Sequence, residues 1–184
     1  MMKIAFTSVL MLGGLLSGYA DAGTNPSVNW SIAGAACQLE TGSSTVADVR
    51  ANTGEVAFQT GKTGTIRLIC PVSGLFPSDI ASSPSKMDVV FYDQDGTTDN
   101  CYVQAYLKYN TRGTGETFGS IAAYDDSSDG TLVSSTPFRN LESTTFSHTW
   151  DFDSYFYWVE VVLVRNVTTC QSALETVTLS SQVL

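Results

Sequence analysis

The protein has 184 residues, of which 15% are charged and 43% hydrophobic, and its formal net charge is −9 at pH 7. That composition excludes an intrinsically disordered chain, which combines low hydrophobicity with high charge. The low charged fraction disfavours a coiled coil, and the acidic balance disfavours nucleic acid as a partner, because binding to phosphates needs clustered Lys and Arg. The length fits one domain with a hydrophobic core.

The first 22 residues have the pattern of a secretory signal peptide, with Lys3 before an apolar run at residues 4–16. Ala20 and Ala22 place small residues at a cleavage site, so we expect a single mature β-sandwich domain at residues 23–184. A spanning helix needs about 20 apolar residues, so the run does not predict a membrane anchor. We therefore expect a secreted or cell-surface protein, with the periplasm as an alternative.

Four cysteines follow the expected cleavage site: Cys37, Cys70, Cys101 and Cys170. An even number in an exported chain predicts two disulfides, and the wide spacings do not fit a zinc site. Three pairings are open from the sequence. We favour Cys37–Cys70 and Cys101–Cys170, because the second pair joins the start of one strand to the end of another, and these ends lie together if the strands are antiparallel neighbours.

The mature sequence predicts an all-β fold. Short runs rich in Val, Ile, Thr and aromatic residues alternate with Gly, Ser, Asp and Pro clusters, without helical periodicity. Strands are predicted at residues 28–37, 46–50, 55–59, 65–70, 87–93, 101–109, 118–124, 144–150, 155–165 and 175–183. This spacing is typical of a two-sheet sandwich or jelly roll of about 8–10 strands, here stapled by disulfides.

Two predicted strands, 101–109 and 155–165, carry aromatic residues on the faces that alternation assigns to the outside. If these strands are neighbours, the aromatic residues form a stripe: Tyr102, Tyr106, Phe156 and Trp158. Flat rings suit the apolar faces of sugars, whereas a large uncovered apolar face suits contact between subunits. A third interpretation is that the face is a second core layer or is covered by the loop at residues 77–84.

The segments TIRLICP at residues 65–71 and VVFYDQDG at residues 89–96, with a late strand rich in Tyr and Val, resemble a loose family of small secreted bacterial proteins. That resemblance implies an exported β-sandwich. It brings no assigned activity and no functional residues.

The acidic segment at residues 93–100 contains an Asp-Gly pair between two β runs, which predicts a hairpin turn. Its oxygen-bearing side chains also make it an alternative calcium site, although the spacing is not that of an EF-hand. The candidate ligands are Asp93, Asp95, Asp99 and Asn100. We expect no other cofactor.

His148 lies close in sequence to Asp151 and Asp153, as a catalytic base oriented by a carboxylate would, but no Gly-x-Ser-x-Gly elbow supplies a nucleophile. Asp151 and Glu160 form a candidate glycosidase pair whose separation the sequence does not give. We expect a non-enzymatic structural protein that self-associates or joins an envelope partner in a cell-surface or extracellular assembly. The alternative is a carbohydrate-binding module that uses the aromatic sheet face, and a hydrolase ranks third.

Overall fold

A computed structural model describes residues 28–73, 84–94, 100–113, 118–126 and 138–181. The expected signal peptide lies outside them. The described residues form eleven strands: β1 (Val28–Ala33), β2 (Gln38–Leu39), β3 (Ala47–Arg50), β4 (Glu55–Phe58), β5 (Gly64–Val72), β6 (Lys86–Asp93), β7 (Cys101–Thr111), β8 (Phe118–Asp126), β9 (Phe138–Glu142), β10 (Tyr155–Arg165) and β11 (Ser172–Ser180). Two short 3-10 turns, Gly34–Ala36 and Ser43–Thr45, complete the regular structure of this part. No helix among the described residues has the length and apolar character needed to cross a membrane.

The strands form two antiparallel sheets, which confirms the predicted all-β sandwich. The first sheet has the order β3-β4-β11-β6-β9, and the second has the order β2-β5-β10-β7-β8. In the first sheet β1 pairs with residues 176–180 of β11, and β4 pairs with residues 173–174. Because β6 occupies the other edge of β11, β1 and β4 share one edge, end to end.

The core lies between the two sheets and contains every second side chain of their central strands. In β5, β7 and β10 the inward positions are fully buried: Ile66, Leu68, Cys70, Val103, Ala105, Leu107, Val159, Val161 and Leu163. The first sheet supplies equally buried residues, among them Met87, Val89, Phe91, Leu174 and Leu179. Each large side chain buried in this way contributes about 1.5–3 kcal/mol. This alternation confirms the faces that the sequence assigned to β7 and β10.

Both predicted disulfides, Cys37–Cys70 and Cys101–Cys170, are present. Each joins a strand of the second sheet, β5 or β7, to a segment that leads from or into the first sheet. Cys70 and Cys101 are fully buried, and Cys37 and Cys170 are 8% and 3% exposed. Two internal disulfides are typical of proteins that fold in an oxidising compartment, outside the cytoplasm.

The prediction of a strand at residues 144–150 is wrong. These residues belong to neither sheet, and the strand of this region is β9, which lies before them. Burial still alternates, because Phe146 is buried, Ser147 and Thr149 are exposed, and His148 and Trp150 are half-buried. One side of the segment packs onto the sandwich although its backbone is not paired in a sheet. The alternation of apolar and polar residues in the sequence therefore reflects this packing and not a β-strand.

The predicted hairpin at residues 93–100 is also wrong. β6 pairs with β11 and β9 in the first sheet, whereas β7 pairs with β10 and β8 in the second. The connection therefore passes from one sheet to the other. Asp-Gly marks a chain reversal, but the sequence does not show whether the next strand pairs with the preceding one.

Candidate functional site

The outward side chains of β5, β10 and β7 form one surface of the second sheet, here called the outer face. β10 lies between β5 and β7, so the two strands that carry the predicted aromatic stripe, β7 and β10, are neighbours. In register, Val164 is opposite Tyr102, Glu160 is opposite Tyr106, and Phe156 is opposite Asn110. Trp158 stands between Pro71 of β5 and Lys108 of β7. The four predicted aromatic residues therefore share this face: Phe156 and Trp158 lie at the start of the β10 outward row, Tyr106 lies beside its middle and Tyr102 beside its end.

A charged network crosses the middle of the outer face between these aromatic positions. Glu160 forms ion pairs with Lys108 on one side and with Arg67 on the other, the latter at 2.6 Å between Nη1 and Oε1. Arg67 also reaches Glu40, with 3.6 Å between Nε and Oε2. The Lys108 ammonium lies 5.2 Å from the centre of the Tyr106 ring, within cation–π range. The face is thus a mixture of rings and fixed polar groups.

The Glu160 carboxylate is held in its charged form by this network. Burial acts to raise its pKa, but the hydrogen bonds and charges of Lys108 and Arg67 outweigh burial, so that its pKa lies below the ordinary value of 4.5. The side chain is only 12% exposed. Glu160 is therefore a fixed hydrogen-bond acceptor and ion-pair partner at neutral pH.

Phe156 is the most exposed aromatic side chain of the outer face, at 55%. The Arg112 guanidinium lies 4.5 Å from its ring centre. Beside it, the side-chain oxygen of Asn110 is buried and accepts no hydrogen bond. Tyr102, Tyr106 and Trp158 are half-buried. The outward residues Val162 and Val164 are only 5% and 6% exposed, so the chain itself covers this part of the face.

A second aromatic group, here called the ring cluster, lies at the end of the sandwich where β10 begins and β7 ends. It contains Tyr109, His148, Trp150, Phe152, Tyr155 and Tyr157. Its centre is Tyr157, whose ring lies 4.8 Å from both Trp150 and Phe152 and 5.5 Å from His148. Trp150 and Phe152 stack almost in parallel, with 9° between their planes. The sequence analysis did not identify this cluster, because its members come from three separate segments.

A hydrogen-bonded chain links the ring cluster to the segment before β10. The buried Tyr157 hydroxyl accepts the backbone N–H of Asp151 at 3.0 Å and lies 3.2 Å from His148 Nε2. Burial raises the pKa of Tyr157, so its hydroxyl stays protonated, and burial lowers the pKa of His148 from 6.5, so its ring is neutral at pH 7. The Tyr157 hydroxyl therefore joins the backbone of Asp151 and the His148 ring in one hydrogen-bonded chain.

A cleft of about 490 Å³ lies beside the ring cluster and is here called the end cleft. Residues 146–150 form one side, and Pro84 and Ser85, just before β6, form the other. Trp150 Nε1 donates to the Pro84 carbonyl at 3.3 Å, and the Phe146 N–H donates to the Ser85 carbonyl at 2.8 Å. These bonds hold the two sides of the cleft together.

The catalytic arrangements considered from the sequence are not assembled. His148 Nε2 faces the Tyr157 phenol, and the Asp151 carboxylate accepts the backbone N–H groups of Asp153 and Ser154, each at 3.0 Å. Hydrogen bonds from Ser154 and Asp153 and the nearby Arg112 charge lower the pKa of Asp151. A glycosidase acid needs a raised pKa, whereas the pKa values of Asp151 and Glu160 are both lowered. His148 and Asp151 thus serve local structure in this geometry.

The calcium hypothesis concerns residues that lie largely outside the described part of the chain. Asp95 and Asp99 are not described, whereas Asp93 is buried at the end of β6 and Asn100 is exposed just before β7. No group of three or more His, Cys, Asp or Glu side chains suited to a metal occurs among the residues that the structure describes. Calcium binding at this connection stays a prediction.

Comparison with known proteins gives little about function. No family model matches the chain, and no curated protein matches it. A solved structure, that of a family two carbohydrate esterase from Cellvibrio japonicus, resembles it at 14% identity with a TM-score of 0.43. The match covers 83% of this chain but only 33% of the esterase chain. A likeness at this identity and TM-score carries no argument about activity.

Proposed function

We propose that the protein is an exported, non-catalytic domain that binds carbohydrate chains on the outer face. The observation that carries the proposal is the placement of Tyr102, Tyr106, Phe156 and Trp158 around the Arg67–Glu160–Lys108 network on one sheet surface. Extended glycans lie well across a sheet surface of this kind, because each sugar ring has an apolar side and a rim of hydroxyls.

The outer face offers partners for both sides of a sugar ring. The half-exposed Phe156 ring provides an apolar platform, and the carboxylate and cations of the network provide an acceptor and donors for hydroxyls. The ion pairs hold these groups in place before binding, so less conformational entropy is lost when a ligand arrives. The middle of the face is polar, which suits a hydroxylated ligand better than an apolar protein surface.

Self-association, the function that the sequence analysis ranked first, has weaker support from this surface. It depends on a large uncovered apolar patch, and contiguous patches of that kind mark subunit contacts. Among the described residues the exposed large hydrophobic side chains are Val49 and Phe156, and they lie on different sheets. Assembly therefore stays a prediction, which the following experiment also tests.

Replacement of Phe156 by Ala tests the proposal, with Val49→Ala as a matched control because Val49 is also exposed, at 44%, but lies on the other sheet. We expect the wild type and Val49→Ala to be retained on polysaccharides in affinity gel electrophoresis and on a glycan array. Phe156→Ala should bind at least tenfold more weakly, a loss of about 1.4 kcal/mol, because the platform is gone. Its melting temperature should not change, since an exposed ring contributes little to the core.

Two outcomes contradict the carbohydrate proposal. One is that the wild type binds no member of a panel of cellulose, chitin, xylan, alginate and peptidoglycan, or of the array. The other is that Phe156→Ala binds as well as the wild type. Light scattering on the same samples addresses assembly: concentration-dependent oligomers that Phe156→Ala abolishes, without any glycan binding, would replace the proposal by the structural function.

A further inference from the structure

The end cleft lies apart from the outer face, and the proposed function makes no use of it. It is concave, and its volume of about 490 Å³ falls within the range of about 300–1,000 Å³ that is usual for small-ligand pockets. Its two sides are joined by the Trp150–Pro84 and Phe146–Ser85 hydrogen bonds. Ser85 in turn donates its N–H to the Ser180 carbonyl at the end of β11, which fixes that side to the first sheet.

The backbone along one side of the cleft is unpaired. In the described part of the chain, the backbone groups of Ser147, His148 and Thr149 form no hydrogen bond. Free N–H and C=O groups at the rim of a pocket need partners, and a ligand can replace water there. The hydroxyls of Ser147 and Thr149 are exposed on the same stretch. Donors and acceptors therefore alternate along this rim.

His148 adds a ring nitrogen whose position the structure defines. Its Nε2 lies 3.2 Å from the Tyr157 hydroxyl oxygen. Its Nδ1 forms no hydrogen bond with the residues that the structure describes. The ring is held in place by edge-on contacts with Trp150 and Tyr157, at 5.3 Å and 5.5 Å between centroids. His148 thus brings a positioned ring nitrogen to the lining of the cleft.

The chemistry of the cleft indicates an uncharged ligand. At neutral pH none of its described lining residues carries a charge: Pro84, Ser85, Phe146, Ser147, His148, Thr149 and Trp150. Among these described residues an anion would find no cation to balance it, and a cation would find no carboxylate. Apolar side chains supply one part of the lining and hydroxyl, imidazole and amide groups the other, which matches the two sides of a sugar ring.

We propose that the end cleft is a second binding site, which takes a single neutral sugar ring such as the terminal residue of a glycan. Trp150 contacts the apolar side of the ring, and His148 Nδ1, the Ser147 and Thr149 hydroxyls and the free backbone groups bind its hydroxyl groups. A peptide that adds as a β-strand fits less well, because only three consecutive residues have an unpaired backbone. The site does not depend on the outer face.

Saturation-transfer difference NMR with the methyl glycosides of glucose, galactose and mannose, and with N-acetylglucosamine, tests this site. We expect saturable binding of at least one sugar with a Kd of about 1 mM, and a shift of the imidazole signals of His148, the one histidine of the chain. The double variant Ser147→Ala/Thr149→Val should raise that Kd about tenfold, because two hydrogen-bonding groups are removed. Thr144→Val is the matched control, since Thr144 is exposed on the same segment but does not line the cleft.

The proposals for the outer face and for the end cleft are tested independently. Phe156→Ala should lose polysaccharide retention and keep the monosaccharide signal, whereas the Ser147/Thr149 variant should do the reverse. The cleft proposal is overturned if no sugar of the panel gives saturable binding, or if the double variant and Thr144→Val bind equally well. It is also overturned if an unbiased peptide library, and no sugar, perturbs the His148 signals.

Discussion

Protonation of His148 places a positive charge on a half-buried imidazole ring. Burial disfavours the charged form and lowers the pKa of His148 from its ordinary value of 6.5. A lowered pKa in the folded state means that the unfolded chain binds more protons, so stability rises with pH across this window. The stabilisation is present above pH 6.5 and is lost as the pH falls through the folded pKa.

We expect the melting temperature of the wild type to fall as the pH is lowered from 7 to 5, before most carboxylates titrate. Because the chain has one histidine, His148→Gln should remove this dependence while its side-chain amide can still form a hydrogen bond with the Tyr157 hydroxyl. Thermal unfolding followed by circular dichroism at a series of pH values checks the prediction. A pH profile of His148→Gln that follows the wild type between pH 5 and 7 would assign the effect to other groups.

The sequence predicted the positions of the outer-face residues better than the contacts of His148. Strand alternation was sufficient to place Tyr102, Tyr106, Phe156 and Trp158 on one face, because each strand presents its side chains to alternate sides. For His148 the sequence offered the nearby Asp151 as a partner, but the structure gives Tyr157 instead. Proximity along the chain does not show how the chain turns back, and the partner of His148 lies beyond the turn that leads into β10.

At the scale of elements, the two central strands of the second sheet were the most predictable. β10 has the predicted bounds, because its run of β-branched and aromatic residues is uninterrupted and ends at a turn. β9 was missed: its sequence, FRNLE, has only two hydrophobic residues, and the strand pairs with β6 along one edge only. At residues 144–150 the alternation reflected packing against the ring cluster, which burial produces without a paired backbone.

The pairing of β7 with β8 depends on the absence of a side chain at Gly119. Gly119 is opposite Tyr109, and a Cβ at this position would overlap the Tyr109 ring, which is packed partly against the core. The requirement concerns space, since Gly119 does not have a left-handed backbone. The glycine therefore allows Tyr109 to lie across β8 and to reach the ring cluster.

Gly119→Ala should destabilise the domain by about 1–3 kcal/mol, as overpacking of a close contact does. The measurement is chemical denaturation of the single variants and of Gly119→Ala combined with Tyr109→Ala. In the double variant the alanine at position 119 should cost much less than it does alone, because the ring is gone. Equal costs in the two backgrounds would contradict the overlap with Tyr109.

At the scale of the whole molecule, two disulfides close separate loops, one of 33 residues and one of 69. The loops do not overlap along the chain. In the chain-entropy model each disulfide therefore stabilises the fold independently, by about 3–4.5 kcal/mol. Their sum is comparable to the whole stability of an ordinary domain, about 5–15 kcal/mol. The reduced chain is thus expected to be close to unfolding.

The paired replacements Cys37→Ala/Cys70→Ala and Cys101→Ala/Cys170→Ala should each lower the free energy of unfolding by about 3–4.5 kcal/mol. Urea denaturation of both variants and of the oxidised wild type gives these values, and the wild type in reductant should lose about the sum. If reduction leaves the denaturation midpoint unchanged, the sandwich is held by its core alone and the estimate is wrong.

The position of β11 determines when the first sheet can be completed. β11 is the last described strand, yet it hydrogen-bonds to β6 on one edge and to both β1 and β4 on the other. During synthesis from the N-terminus, β1 emerges early but has no partner until β11 is made. Pairing across so long a separation slows folding, since the closure entropy is lost before any contact forms. Under the proposed export, the first sheet therefore stays open, and its strands can be threaded through a translocation channel, until β11 has been made.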